Sequence, residues 1–321
     1  MDKSLARGLV NSLIRTGEAE GRVFWEAFDA LIGSLSARTR SGRRIQPEHF
    51  NGPASAFISA ISQNPYVVKA DLAPMAGAHT PGRLTVYALF TGKLKAPGRE
   101  PEELYVVREI DLQVRSRRWT YDNRMVPVSV SWHLLRRFAM RNEADWGMLR
   151  NDLSKALPLV GAWLHATREL SDNAATFACQ AERGALIGQR LLCTTDENNH
   201  FVMTGAKGNV LTHSVKQDLP FQAVSFRTFL DTDKLQPCQA ECLDLVNDWS
   251  HRFVPDYVAA NPSPFLAPST AVPPTLDVPL IALGMLTSDE RWREAFRGRV
   301  GIATNPTVVA GANVVRVAHI A

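Results

Sequence analysis

The stretch Pro127-Val-Ser-Val-Ser-Trp-His133-Leu-Leu-Arg136-Arg137-Phe-Ala-Met-Arg141 joins two kinds of local structure. Its first five residues alternate between apolar and small polar types, which is typical of a β-strand. The residues after Ser131 have the spacing of an amphipathic helix, and serine is a favourable helix-capping residue. The stretch therefore predicts a strand that leads directly into an arginine-rich helix, with His133 at the helix start.

Segments on both sides of this stretch predict a sheet, because apolar and polar residues alternate between turn signals. The predicted strands are residues 84–90, 104–114, 126–131, 176–181, 186–193, 200–204, 210–215 and 221–230. A core helix is predicted from Trp146 to Leu170, with Pro158 as a kink. The fold class is accordingly α+β, with an antiparallel curved sheet packed on a long helix.

The ends of the chain predict helices. Apolar residues recur at helical spacing over residues 5–14 and 23–32, so two N-terminal helices are expected, separated at Gly17 to Gly21. The basic residues from Ser34 to Pro47 predict a loop, and a short helix follows around residues 54–62. A further helix is predicted over residues 237–257, because Leu243, Val246, Trp249 and Phe253 form an apolar stripe.

Composition shifts predict four regions. Residues 1–75 form an N-terminal helical region and residues 76–258 an α+β core domain. Six prolines between Asn261 and Pro279 predict a connector over residues 259–279, since proline disfavours helices and central strands. Residues 280–321 form a C-terminal tail, with a helix near residues 288–297 and a strand-like segment at 313–318.

The overall composition is that of a globular protein. The chain has 321 residues, 45% of them hydrophobic, and a formal net charge of +4. Its four cysteines do not suggest a disulfide framework, and no segment has the features of a signal peptide or the roughly 20 apolar residues of a membrane span. We therefore expect a cytoplasmic protein that does not associate with membranes.

Positive charge is concentrated in one segment. Seven arginines lie between Gln113 and Arg141, where Asp122 is the single acidic residue. Trp119 and Tyr121 alternate with arginines in the same segment, as in surfaces that bind single-stranded nucleic acid. The predicted nucleic-acid-binding residues are Arg115, Arg117, Arg118, Trp119, Arg124, Arg136, Lys207 and Lys216. An ordinary exposed hairpin would carry the same residues.

His133 is the strongest candidate for chemistry. If the helix begins near Trp132, Arg136 and Arg137 lie beside the imidazole, three and four residues on. Cleavage of RNA by its own 2′-hydroxyl needs a base with a pKa near neutral and cations that stabilise the charged phosphorane. Histidine and arginine supply these functions. In the alternative interpretation, Ser131 caps the helix, His133 satisfies a local hydrogen bond and the arginines form a solvated face.

A strand is followed by Ser131-x-His133-x-x-x-Arg137-Phe138-x-x-Arg141, then by a helix, and then by a small meander that ends in Arg-Thr-Phe-Leu (227–230). This order of elements around His133 resembles that of RelE-type and barnase-like ribonuclease toxins. The resemblance covers residues 128–230. It implies a small α+β fold and metal-independent RNA cleavage by a toxin-like hydrolase. Residue by residue, it implies that His133 is the base, that Arg137 and Arg141 contact phosphate, and that Arg227 stabilises the transition state.

Other constellations are weaker. His213 could pair with His133 as acid and base. Glu109 and Asp111 share one face of a strand, which is the sharpest alternative for a metal-dependent nuclease. The cysteines lack the short spacing of zinc sites, so we predict neither a metal nor a cofactor. A non-catalytic function also fits, in which the arginines bind nucleic acid, and the N-terminal helices or the Pro-rich region bind a protein partner.

Overall fold

The computed structural model describes residues 2–77, 80–94, 102–143, 145–167, 176–194, 200–204, 210–214, 221–260, 273–297 and 316–319. The helices are α1 (Lys3–Arg40), α2 (Pro47–Ile61), α3 (Trp132–Arg141), α4 (Trp146–Ala166), α5 (Pro237–Ala260), α6 (Pro274–Ser288) and α7 (Glu290–Phe296). The strands are β1 (Val67–Ala73), β2 (Gly82–Leu94), β3 (Glu102–Arg115), β4 (Arg118–Ser131), β5 (Thr176–Ala181), β6 (Gly184–Thr194), β7 (His200–Thr204), β8 (Val210–Ser214), β9 (Phe221–Asp231) and β10 (Arg316–His319).

The fold is α+β with a curved sheet, as predicted. Strands follow the order β1-β2-β3-β4-β9-β6-β10, with β5 also on β6, and β7 and β8 form a separate pair. The sheet is mixed rather than purely antiparallel, because Val128 to Val130 of β4 pair in parallel with Val224 to Phe226 of β9. Between these two strands the chain passes through α3, α4 and β5–β8, and parallel pairing requires a long connection of this kind.

The chain divides into two compact units. The N-terminal unit comprises Arg7–Phe90 and Val107–Val126, and the C-terminal unit comprises Met1–Ala6, Thr91–Val106 and Pro127–Ala321. These limits differ from the predicted boundary at residue 75. The N-terminal unit contains strand residues as well as helices because the apolar sides of α1 and α2 are buried together with β1–β3 residues in one core, against which Trp119 of β4 packs.

Helix α1 corrects two predictions. It is a single helix of 38 residues, so the predicted break at Gly17 to Gly21 and the predicted loop from Ser34 are wrong as far as Arg40. A glycine inside a helix costs about 1 kcal/mol relative to alanine, which weakens a helix without ending it. The burial of Phe24, Phe28, Leu31 and Leu35 in the N-terminal core outweighs that cost.

Helix α6 corrects the C-terminal assignment. The predicted Pro-rich connector extends to residue 279, whereas α6 already begins at Pro274. Proline is compatible with the first helical position, because the amide hydrogen that it lacks has no partner there. Pro279 lies further inside α6, but Leu276, Leu280 and Leu283 are buried and Trp249 Nε1 donates to the Pro279 carbonyl at 2.7 Å. The remaining predicted connector, residues 261–272, lies outside the described residues.

The core of the C-terminal unit forms around Trp163 of α4. The Trp163 ring lies 5.1 Å from Phe177 of β5, which in turn lies 5.9 Å from Phe226 of β9. Trp163 Nε1 donates to Thr287 Oγ1 of α6 at 2.9 Å, and the guanidinium of the buried Arg190 lies 4.5 Å above the Trp163 ring. The long helix therefore packs on β5, β6 and β9, as the predicted fold requires.

A buried carboxyl group in this core predicts a pH-dependent stability. Asp152 Oδ1 accepts a hydrogen bond from Glu182 N at 3.0 Å, and burial raises the Asp152 pKa from 3.8 to about 6. Because the folded pKa lies above the unfolded one, the contribution of Asp152 to stability is most favourable below about pH 4 and falls by up to about 3 kcal/mol as pH rises through about 6. Asp152→Asn stays neutral, so its stability advantage over wild type should grow across this range.

Urea unfolding at pH 4, 5, 6 and 7 measures this difference. Asp248→Asn, at an exposed position on α5, is the matched control and should show no comparable trend. A constant difference between Asp152→Asn and wild type at all four pH values would contradict the assignment.

Candidate functional site

The junction of β4 and α3 has the predicted form. Ser131 Oγ accepts a hydrogen bond from Leu134 N at 3.1 Å and so caps α3, which begins at Trp132. The same hydroxyl donates to the Arg227 carbonyl of β9 at 3.3 Å. One serine therefore both starts the helix and ties the helix start to β9.

His133 is exposed, and its imidazole lies beside Arg137. Arg137 Nε donates to His133 Nε2 at 3.2 Å, which is the contact expected between residues four apart on a helix. Nε2 therefore acts as the acceptor, and its lone pair is directed at Arg137. Arg136 lies over the Trp132 ring at 5.3 Å, a cation–π contact that directs this guanidinium along the helix surface.

Arg141 is bound to β9. Its Nη1 donates to the Phe229 carbonyl at 2.9 Å and lies 3.3 Å from Asp231 Oδ2. Phe138, one turn earlier, packs edge-on against Phe229 with 5.2 Å between ring centroids. These contacts give Arg141 the role of holding α3 on β9, and they occupy the guanidinium that the sequence assigned to phosphate.

Arg227 is the extra residue of a β-bulge. On β6, Ile187 and Gly188 are consecutive, whereas their β9 partners Thr228 and Phe226 are separated by Arg227. Arg227 is half-buried. Two of the four predicted catalytic residues, Arg141 and Arg227, thus lie at the contact between α3 and β9, and the other two, His133 and Arg137, pair with each other at the start of α3.

Two basic segments meet in the N-terminal unit. Ile45 N, after the end of α1, donates to Ser116 O in the β3–β4 turn at 2.7 Å. This hydrogen bond joins backbone segments that both carry exposed arginines. We define the basic surface as the six exposed arginines of these segments, Arg40, Arg43, Arg44, Arg115, Arg117 and Arg118. Within the described part of the chain, none of their guanidinium groups has an ion pair or hydrogen bond.

The aromatic residues predicted beside these arginines pack on α1. Trp119 contacts the N-terminal core, and the Tyr121 ring lies 5.8 Å from Phe28. Trp119 and Tyr121 are two residues apart on β4 and therefore share one face of the strand. Their rings are nearly parallel, at 21°, with centroids 6.4 Å apart.

The predicted nucleic-acid-binding residues that the structure describes belong to both compact units. Arg115, Arg117, Arg118 and Trp119 belong to the N-terminal unit, whereas Arg136 belongs to the C-terminal unit. Arg124 lies on β4 and His213 on β8, but their side chains lie outside the described part of the structure. Lys207 and Lys216 also lie outside the described residues.

The paired carboxylates on β3 form a buried network. Asp111 accepts two hydrogen bonds from Arg83 of β2, at 2.6 and 3.1 Å, one from Gln113 at 3.0 Å and one from Thr85 at 3.3 Å. The Asp111 contact raises the Arg83 pKa. Burial raises the pKa of the nearby Tyr87, and the charge of Glu109 raises it further. The network therefore joins β2 to β3 within the sheet.

Among the described residues, no group of three or more histidine, cysteine or acidic side chains could hold a metal ion. Cys179, Cys238 and Cys242 are free thiols. In the same part of the chain, no helix has the length and apolar character needed to cross a membrane.

Comparisons with known proteins connect the chain to no family. No family model, no curated protein and no solved structure matches it. The case for a function therefore depends on the geometry of the chain itself.

The contribution of the Arg83 and Asp111 pair to stability can be measured directly. The Asp111 side chain is 2% exposed, so Arg83→Ala leaves a buried carboxylate without its cation and should cost about 3 kcal/mol. The double variant R83A/D111N removes the charge as well and should recover most of that loss.

Lys69→Ala is the matched control. It breaks the ion pair with Asp71 on β1, where the side chains are 46% and 51% exposed, and should cost under about 1 kcal/mol. Urea unfolding of the four proteins gives these values, and equal losses for Arg83→Ala and Lys69→Ala would contradict a structural role for the buried pair.

Proposed function

We propose that the protein binds nucleic acid through the phosphate groups that contact its basic surface. The observation that carries this proposal is the meeting of two arginine-bearing segments at the hydrogen bond between Ile45 N and Ser116 O. The basic surface has six exposed guanidinium groups, and none of them has an acidic partner among the described residues. These positive charges repel one another, and a bound polyanion would relieve the repulsion. Arginine also matches phosphate geometry with paired hydrogen bonds.

The end of α1 adds a further argument. Arg38 and Arg40 lie in its last turn, where positive charge complements the negative end of the helix dipole. The dipole accounts for arginines at this helix end. It does not account for Arg43 and Arg44 beyond the helix, or for Arg115, Arg117 and Arg118 at the β3–β4 turn. The additional arginines support an external ligand.

The second candidate function is RNA cleavage at the start of α3. The specific observation in its favour is that His133 is exposed and that its Nε2 accepts a hydrogen bond from Arg137 Nε at 3.2 Å. In this reaction Arg137 turns from His133 Nε2 to the phosphate, and the freed Nε2 takes the proton of a ribose 2′-hydroxyl. The 2′-oxygen bonds to the adjacent phosphorus, the bond between phosphorus and the 5′-oxygen breaks, and the departing 5′-oxygen takes a proton from water. Arg137 stabilises the charge on the phosphorane oxygens. The contacts that hold Arg141 on β9 make it a positioning residue in this scheme.

The binding proposal is tested with charge-removing pairs. R43A/R44A and R117A/R118A should each weaken binding to a labelled 30-nucleotide RNA by about 10-fold or more at low salt. Each pair should also reduce the slope of log K against log[salt] by about 1 to 2, because fewer counterions are released. Fluorescence anisotropy at 50 to 200 mM KCl measures both quantities.

R15A/R22A is the matched control, because it removes two exposed arginines from α1 at least 18 residues before Arg40, about 27 Å along the helix. Its affinity should remain within about 2-fold of wild type. If R15A/R22A loses as much affinity for RNA as the two test pairs, or if the affinity of wild type does not change with salt, the basic surface is not the binding site.

The cleavage proposal is tested by incubating the purified protein with RNA in EDTA. His133→Ala should reduce cleavage at least 100-fold, whereas His251→Ala, at an exposed position on α5, should have no effect. Wild-type protein that leaves RNA intact, or equal cleavage by wild type and His133→Ala, would exclude His133 as a base.

A further inference from the structure

We infer that the ligand of the basic surface is single-stranded nucleic acid, and that one of its bases stacks on Tyr121. This inference depends on the proposed binding function and names its substrate class. Tyr121 is 52% exposed. Trp119, two residues earlier on the same strand, is by contrast partly buried against the N-terminal core.

The Tyr121 ring is held in place by two aromatic neighbours. The Phe28 ring meets it at 77° with centroids 5.8 Å apart, and the Trp119 ring is nearly parallel to it, at 21° and 6.4 Å. Edge contacts and offset stacking of this kind fix the orientation of a ring. Because the ring is preoriented and half of its surface is open, a base can stack on it with little loss of side-chain entropy.

The position of Tyr121 connects this ring to the phosphate-binding groups. Tyr121 lies three residues after Arg118, the first residue of β4, which is about 10 Å along the strand, and Arg117 precedes Arg118 in the β3–β4 turn. It lies on the α1 side of the sheet because it contacts Phe28, and α1 continues from Phe28 to Arg40. A strand of nucleic acid that follows α1 and β4 would therefore place phosphates near Arg40, Arg43 and Arg117 and a base near Tyr121.

Base stacking distinguishes single strands from duplexes. In a duplex, the faces of the bases are covered by neighbouring base pairs, so an exposed tyrosine finds no free face. In a single strand, each base offers a face, and removing one stacking aromatic typically weakens binding by about 5- to 100-fold. Asp122, next on β4, points to the opposite face of the strand from Tyr121, which keeps its negative charge away from the stacking surface.

The experiment measures the affinity of each protein for one 12-nucleotide RNA, once as a single strand and once as a duplex. The proteins are wild type, Tyr121→Phe, Tyr121→Leu and R117A/R118A. Tyr121→Leu keeps an apolar side chain against Phe28 and removes the aromatic ring. It should weaken single-strand binding about 5- to 100-fold and leave duplex binding within 2-fold, whereas Tyr121→Phe should bind both ligands like wild type. Thermal unfolding of each variant verifies that the fold is retained.

Failure of this inference is distinguishable from failure of the binding proposal. If Tyr121→Leu binds both ligands like wild type, or binds both more weakly by the same factor, base stacking on Tyr121 is overturned. Weaker binding by R117A/R118A in the same experiment would still support phosphate binding by the basic surface. Wild type that binds the duplex as tightly as the single strand overturns the preference for single strands. Unchanged binding by R117A/R118A to both ligands overturns the proposed function itself.

Discussion

The N-terminal unit depends on the burial of one side of α1. Phe24, Phe28, Leu31 and Leu35 enter the same core as residues of α2 and β1–β3. Each such side chain contributes about 1.5 to 3 kcal/mol when fully buried, which exceeds the cost of the glycines in the helix. The length of α1 follows from this burial, and so does the position of its end beside the β3–β4 turn. The basic surface and the contact between Phe28 and Tyr121 are both consequences of the way α1 packs.

Buried and exposed charges in this unit have different physical consequences. Asp111 is buried, and Arg83, Thr85 and Gln113 satisfy it, because a buried carboxylate without partners would destabilise the fold. The arginines of the basic surface are exposed, and water solvates them, so the fold does not require partners for them. Their clustering nevertheless raises the local potential and favours a polyanion. The β3 acids, which resemble a metal-binding pair in the sequence, are therefore structural, whereas the arginines at the turn are the better functional candidates.

The start of α3 has a separate role. His133 and Arg137 form an exposed pair, while Ser131, Phe138 and Arg141 hold the helix on β9. This division explains why one short motif supports both a catalytic and a structural interpretation. Arg137 and Arg141 lie one helical turn apart, and their roles differ because Arg137 contacts His133 whereas Arg141 contacts Phe229 and Asp231 of β9. Since this junction and the basic surface belong to different compact units, substitutions can test binding and cleavage independently.

The sequence by itself determined most of the strands and helices, including the start of α3 at Trp132, because alternation and helical spacing are local signals. It predicted a break in α1 and a proline connector up to residue 279, since local propensity omits the free energy of tertiary burial. Arg83, the cation that pairs with Asp111, lies 28 residues from it, and the Phe229 carbonyl that binds Arg141 lies 88 residues from that arginine, so no local pattern could assign these two contacts. Similarly, Arg43 and Arg117 are 74 positions apart in the chain, and only the packing of α1 on the sheet brings their segments together. A charged surface depends on distances in space, and those distances are decided when the core forms.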